Sequence, residues 1–218
     1  MKYTGNAGFT HNQADKIGVL ITNLGTPQAP TKGALKPYLK EFLSDPRVVE
    51  VPRLIWWFIL NGIILNIRPK RSAEAYASVW SEQGSPLMVH TKAQAEALAK
   101  RCEREFGDDV IVDFAMRYGE PAVNKVIERM LSNGVRKLLV VPMYPQYSAS
   151  TVGSTFDAIA TDFQQRRWLP DFRFVSHYHD RPGYIKAVAE TIRQHWEING
   201  QAEKLILSYH GVPRRYLD

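Results

Sequence analysis

IGVLITNLGTP, residues 17–27, decides the fold. Ile17 to Ile21 is a continuous apolar run carrying β-branched residues, and the turn-like Asn23-Leu24-Gly25-Thr26-Pro27 closes it. A short unbroken apolar run that ends in turn residues is the pattern of a buried strand. Similar runs occur at Val110 to Met116, Lys137 to Met143, Phe172 to Ser176 and Lys204 to Tyr209.

Helical patterns lie between these runs. Val89 to Phe106 is rich in Ala, Leu, Lys and Glu, sets Ala95, Leu98, Ala99 and Cys102 on one face, and meets a stop at Gly107. Pro121 stands where a first helical residue would, Val123, Val126, Ile127 and Met130 follow at helical spacing, and Gly134 supplies the stop. Thr151 to Arg166 and Tyr184 to Ile198 are further candidates. Strands alternating with helices predict an α/β fold with a parallel sheet covered on both faces.

The expected organisation is a polar, mobile arm over 1–15, a first α/β domain over 16–176, and the beginning of a second over 177–218. The softest boundary is His177 to Pro182. One helix and one strand after it cannot bury a sheet of their own, so the sequence is expected to stop in mid-domain.

Composition excludes several classes. Hydrophobic residues make up 44% and charged residues 23%, which argues against both disorder and a multispan membrane protein. The net charge is +6. Its basic residues bunch at Arg68, Lys70 and Arg71, at Arg166 and Arg167, and at Arg214 and Arg215. No zinc-finger spacing or RNA-recognition signature accompanies them, so a nucleic-acid partner is not expected, while anionic small molecules or lipid head groups suit them. Cys102 is alone, which excludes an internal disulfide or a multi-cysteine metal site within these residues. The polar beginning lacks the apolar core of a signal peptide, and a reducing cytoplasm is the expectation.

Leu54 to Ile67, LIWWFILNGIILNI, is apolar except at Asn61, Gly62 and Asn66, with Arg53 and Arg68 on its flanks. A spanning helix needs about 20 apolar residues, so this shorter segment is a buried element or an interfacial one. Adjacent Trp56, Trp57 and Phe58 place aromatics around more than half of a helix, which makes complete burial awkward and favours a membrane-surface or ligand-mouth segment.

Open parallel sheets bind ligands at the carboxyl ends of their strands. Those ends carry no G-x-G-x-x-G, no Walker loop and no G-x-S-x-G elbow. They carry Leu24, Arg117, Tyr118, Tyr147, Ser148 and Ser150, a lining that suits a large flat hydrophobic ligand with polar edges. Arg117 pairs either with a ligand carboxylate or with Glu120 or another neighbouring carboxylate. His210, followed by Gly211 and Pro213, is either a cleft histidine that titrates near neutral pH or a structural one bonded to a carbonyl. His177 and His179 have metal-like spacing without an evident third ligand.

Six segments then appear in order: NLGTP at 23–27, EFLSDPRV at 41–48, SxxAYxxVWxxxGSPL from Ser72 to Leu87, MRYGEP at 116–121, YPQYSASTVGS at 144–154 and SYHGVPRRY at 208–216. Together they resemble the ferrochelatase family across nearly the whole chain after the arm, and YPQYSASTVGS is the most specific. The resemblance implies two similar chelatase-like domains, each a parallel four-stranded sheet flanked by helices, with a porphyrin cleft between them. It implies a lyase that inserts ferrous iron into protoporphyrin IX, with iron and porphyrin as substrates and no bound cofactor required. By the same resemblance His210 is the essential catalytic residue and takes part in metal handling, while Leu24, Arg117, Tyr118 and Tyr147 line the porphyrin site. Residues 54–71 would form a mobile lip that touches the inner face of a membrane. The glutamate that the resemblance places opposite the histidine lies in the second domain, so a catalytically inactive porphyrin-binding fragment stands as the alternative.

Overall fold

The computed structural model describes residues 3 to 5, 10 and 12 to 216. Four strands, β1 (Lys16–Gly25), β2 (Val110–Tyr118), β3 (Val135–Pro142) and β4 (Asp171–Phe174), form one sheet in the order β2-β1-β3-β4. Every pairing is parallel, with Ile17 opposite both Val110 and Lys137, and Gly25 opposite Tyr118. β1 is central because its residues tolerate a neighbour on each edge and burial on each face; Leu20, Ile21 and Thr22 are all buried. Gly25 is required at its end: it takes a φ of +107°, and a Cβ there would fall 1.8 Å from the Tyr118 carbonyl oxygen.

Seven helices accompany the sheet among the described residues: α1 (Lys32–Ser44), α2 (Arg53–Ile59), α3 (Leu65–Ala77), α4 (Pro86–Phe106), α5 (Val123–Ser132), α6 (Ser154–Phe163) and α7 (Pro182–Asn199). Val126, Ile127 and Met130 of α5 and Ile159 of α6 pack on Leu20, Leu138 and Val140. Asn23 points the other way, as strand alternation demands, and its amide donates to Thr91 of α4 at 3.1 Å. Helices therefore cover both faces, as the alternating pattern predicts. A second apolar cluster, built from Leu35, Tyr38, Leu39 and Leu43 of α1 with Leu60, Leu65 and Ala73, closes around Tyr118.

The structure departs from the sequence reading in several places. The run Lys204 to Tyr209 forms no strand; it is irregular, and Ile206 is 87% exposed. A strand is stabilised by ladder partners and a covered face, and this run has neither among the described residues. Pro121 does not begin a helix. It precedes Ala122, whose backbone is extended, and α5 starts at Val123; the Pro121 carbonyl instead accepts from the Met116 amide at 2.7 Å. The helix expected from Thr151 begins as a π-helical turn at Ala149–Gly153. Arg166, one of the basic residues expected to suit anionic partners, is instead paired within the chain by Asp162 and Glu128.

The expected mobile arm falls partly on residues outside the described ones. Thr4, within it, bonds to the end of α6, donating to the Gln165 carbonyl at 2.7 Å and accepting from the Arg167 amide at 3.0 Å.

Candidate functional site

The strand order reverses direction beside β1, since the chain leaves β1 for β2 on one side and returns to β3 on the other. In open α/β sheets the crevice at such a switch point, outside the carboxyl ends of the strands, is the ligand position. Two of the expected residues stand there. Leu24 is half-buried against the α1–α3 cluster, and Tyr147, just past β3, is 55% exposed. The turns around them are pinned to the sheet. The Met143 amide donates to Thr22 at 2.7 Å, and the amides of Tyr178 and His179 both donate to the Pro145 carbonyl.

Arg117 and Tyr118, at the end of β2, are held from beneath by a residue that the sequence reading did not single out. Asp45 follows α1 and is buried. Its Oδ2 accepts from Arg117 Nη2 at 2.6 Å, from the Tyr118 hydroxyl at 2.8 Å and from the Ser154 hydroxyl at 2.5 Å, while its Oδ1 accepts from the Arg47 amide at 2.8 Å. Arg117 Nε donates in turn to the Ser154 carbonyl and hydroxyl, and its guanidinium lies 4.4 Å over the Tyr118 ring. Burial alone would raise the Asp45 pKa; hydrogen bonds from Ser154, the Arg47 amide and Tyr118, with the Arg117 charge, outweigh it and hold the carboxyl below its ordinary range. Burial is also the main reason that the Tyr118 phenol is pushed up.

Within the chain the partner of Arg117 is a neighbouring carboxylate, Asp45, and not Glu120, which pairs with Lys125 at 2.5 Å. Tyr118 is wholly buried, so in this conformation it supports the wall without presenting surface. Arg117 also borders a cavity of about 620 Å³ whose lining includes Glu41, Asp45, Asp157 and Asp162. That lining sets these carboxylates among apolar residues such as Val123, Ala158 and Ala160.

Arg47 links the Asp45 turn to α6. Its guanidinium forms an ion pair with Asp157, including an Nη2 to Oδ1 bond of 3.0 Å. A Cβ at Gly153 would lie 3.0 Å from Arg47 Nη1 and 3.2 Å from the Tyr147 hydroxyl, so the glycine leaves room for both to approach. The Tyr144 hydroxyl nearby is buried with no hydrogen-bond partner among the described residues.

His210 is exposed on the irregular segment that precedes a short 3₁₀ turn at Arg214–Tyr216. His177 and His179 are exposed in the loop after β4, with ring centroids 5.7 Å apart. No group of three or more potential metal ligands occurs among the described residues.

The apolar segment 54–67 is helical throughout. α2 runs into a π-helical turn, Leu60–Ile64, and then into α3. Trp56 faces inward, its indole donating to the Leu43 carbonyl at 2.6 Å, and Leu60 and Leu65 are buried. Leu54, Ile55, Trp57, Phe58, Ile63 and Ile67 are exposed. No described helix is long and apolar enough to cross a membrane.

Residues 16–218 match the family model for ferrochelatase. A curated relative named ferrochelatase from Idiomarina loihiensis is 65% identical over 217 residues, covering 100% of this chain and 60% of the relative. Ferrochelatases from Pseudoalteromonas atlantica and Teredinibacter turnerae are 64% and 66% identical, over 100% and 96% of this chain and 60% and 57% of their own lengths. The chain thus spans about 60% of the length of these relatives.

Proposed function

The chain belongs to the ferrochelatase family, and from that membership we propose that it builds one wall of a porphyrin site where ferrous iron enters protoporphyrin IX, giving protohaem in the last step of haem biosynthesis. The observation that carries this reading is the Arg117–Tyr118 pair at the carboxyl end of β2, fixed by a buried acid, with Leu24 packed on the same α1–α3 cluster as Tyr118.

Insertion requires that two pyrrole protons leave as one Fe²⁺ enters. His210 is the proposed proton acceptor, with metal handover as its second role. A positioned base contributes about 10² to 10⁴ in rate, and distortion of a bound ring about 1 to 5 kcal/mol. Leu24 and Tyr147 would form the clamp. Arg117, whose charge Asp45 already balances, shapes the wall, and Tyr118 supports it from below.

Two further readings rest on packing. α7 has no buried residue, which supports a first domain over 16–176 and the beginning of a second over 177–218. The outward apolar face of 54–67, with exposed Arg53, Arg68, Lys70 and Arg71, supports peripheral contact with an anionic membrane surface from a cytoplasmic location.

Protoporphyrin titration followed by an iron or zinc insertion assay tests the function. His210→Ala should retain porphyrin binding and lose roughly a hundredfold or more in insertion; turnover near the parent's would sink the assignment. The run Lys204 to Tyr209, exposed and with no strand partner among the described residues, favours one alternative, a porphyrin-binding module without catalysis. Binding without insertion by the parent chain would select it.

A further inference from the structure

His210 lies on a stretch with no regular structure, from Gln201 to Pro213. α7, before it, buries no side chain. The nearest described anchor comes six residues later. Tyr216 is half-buried, and its hydroxyl donates to the Arg47 carbonyl at 3.0 Å, with the Val48 carbonyl 3.3 Å away. These contacts span 169 and 168 residues of sequence.

Their target is the turn organised by Asp45. The Arg47 amide donates to Asp45 Oδ1, and the amides of Val48 and Val49 donate to the Asp45 carbonyl at 3.1 and 3.0 Å. The other carboxylate oxygen holds Arg117, Tyr118 and Ser154. One connected set of hydrogen bonds therefore runs from the histidine's segment to the end of β2.

We propose that Tyr216 is a positioning residue for His210: its hydroxyl latches the His210 segment to the Asp45 turn, so that one carboxylate sets both the Arg117 wall and the approach of the histidine. The proposal rests on the reading of His210 as proton acceptor, and its first test does not depend on that reading. Free of the latch, the segment would search a wide volume, and a reacting group misplaced by an ångström loses much of its rate.

Tyr216→Phe keeps the ring and deletes the hydroxyl. Exchange of the Tyr216 amide, which donates to the Pro213 carbonyl at 2.9 Å, should quicken about fivefold in the 218-residue chain, the equivalent of one neutral hydrogen bond, with β1 and α5 unchanged. Asp45→Asn should quicken the same amide although it does not touch it, and the double variant should add little to either single one. A Tyr216→Phe variant whose residue-216 amide exchanges at the parental rate overturns the latch, as does full additivity in the double variant.

The role of the latch is read in zinc insertion. Tyr216→Phe should lower kcat roughly tenfold while the KM for porphyrin stays near the parental value. A loss confined to KM overturns the positioning role. A parent chain that inserts no metal counts against the proposed function, and the exchange result then decides the latch alone.

Discussion

The turn at Asp45 and the apolar segment that starts nine residues later at Leu54 reverse the usual rule in opposite senses. The turn buries a carboxylate; the segment exposes a row of large apolar side chains, Trp57 at 58% and Phe58 at 62%. The first reversal is compensated within the molecule, because Asp45 receives four hydrogen bonds, one from its own turn and three from two other parts of the chain. Nothing described in the chain covers the second. A buried charge fully met by donors fixes a shape, whereas a contiguous exposed apolar face marks a surface made for something outside.

The sharpest way to break this comparison is Asp45→Ala. Arg117 would be left in place without its counter-charge, and breaking a buried pair in this way costs about 3 to 5 kcal/mol, to be read by urea unfolding at neutral pH. The pH dependence has a definite sign. The folded carboxyl titrates below its unfolded value, so the contribution of Asp45 is complete above about pH 4 and is lost as the pH falls through the lower folded value. The stabilities of parent and variant should converge in acid. A constant gap down to pH 2 would mean that the ionised carboxylate is not what stabilises the turn.

Asp45 also marks the limit of what could be read in the sequence. β1, β2 and β3 were legible as mainly apolar runs and β4 from the apolar residues Phe172, Phe174 and Val175, and α4 and α5 because their apolar residues recur at helical spacing. Lys204 to Tyr209 has the same local pattern as β1 and forms no strand, since pairing is a property of neighbours and not of the run itself. The positions of Leu24, Arg117, Tyr118 and Tyr147 at strand ends were legible from the turns that follow the runs. Asp45 and Ser154 were not, although both lie inside quoted motifs, because their partners are 72, 73 and 109 residues distant and no periodicity joins them. The motif EFLSDPRV holds the available hint, a carboxylate directly before a proline where α1 must stop.

Tyr118→Phe sharpens the comparison at a smaller scale. The ring stays in the α1–α3 cluster and against Phe42, with which it makes an edge contact at 5.1 Å. Only one of the donors to Asp45 is removed, and a hydrogen bond to a charged group contributes about 1.5 to 3 kcal/mol. The measured loss in urea should fall below that of Asp45→Ala. An equal loss would show that the phenol, and not the guanidinium, dominates the network.

The smallest effect on stability belongs to the exposed side of the comparison. The segment has two aromatic faces: Trp56 bonds to Leu43 and packs on the cluster, while Trp57 and Phe58 stack edge-to-face on each other at 5.0 Å and point away. Replacing Trp57 and Phe58 together by Ser removes apolar surface that is already wet, so unfolding free energy should move by no more than about 0.5 kcal/mol. Trp56→Ser, one residue earlier, should destabilise by about 3 kcal/mol or more, because it empties packed space and strands a carbonyl. Sedimentation with anionic liposomes separates surface from core. The double variant should pellet less than the parent at equal stability, since its apolar anchor is gone while Arg53, Arg68, Lys70 and Arg71 remain. Unchanged pelleting would leave the basic residues as the whole of any membrane attraction and assign Trp57 and Phe58 to the mouth of the porphyrin site instead, where their loss would weaken porphyrin binding.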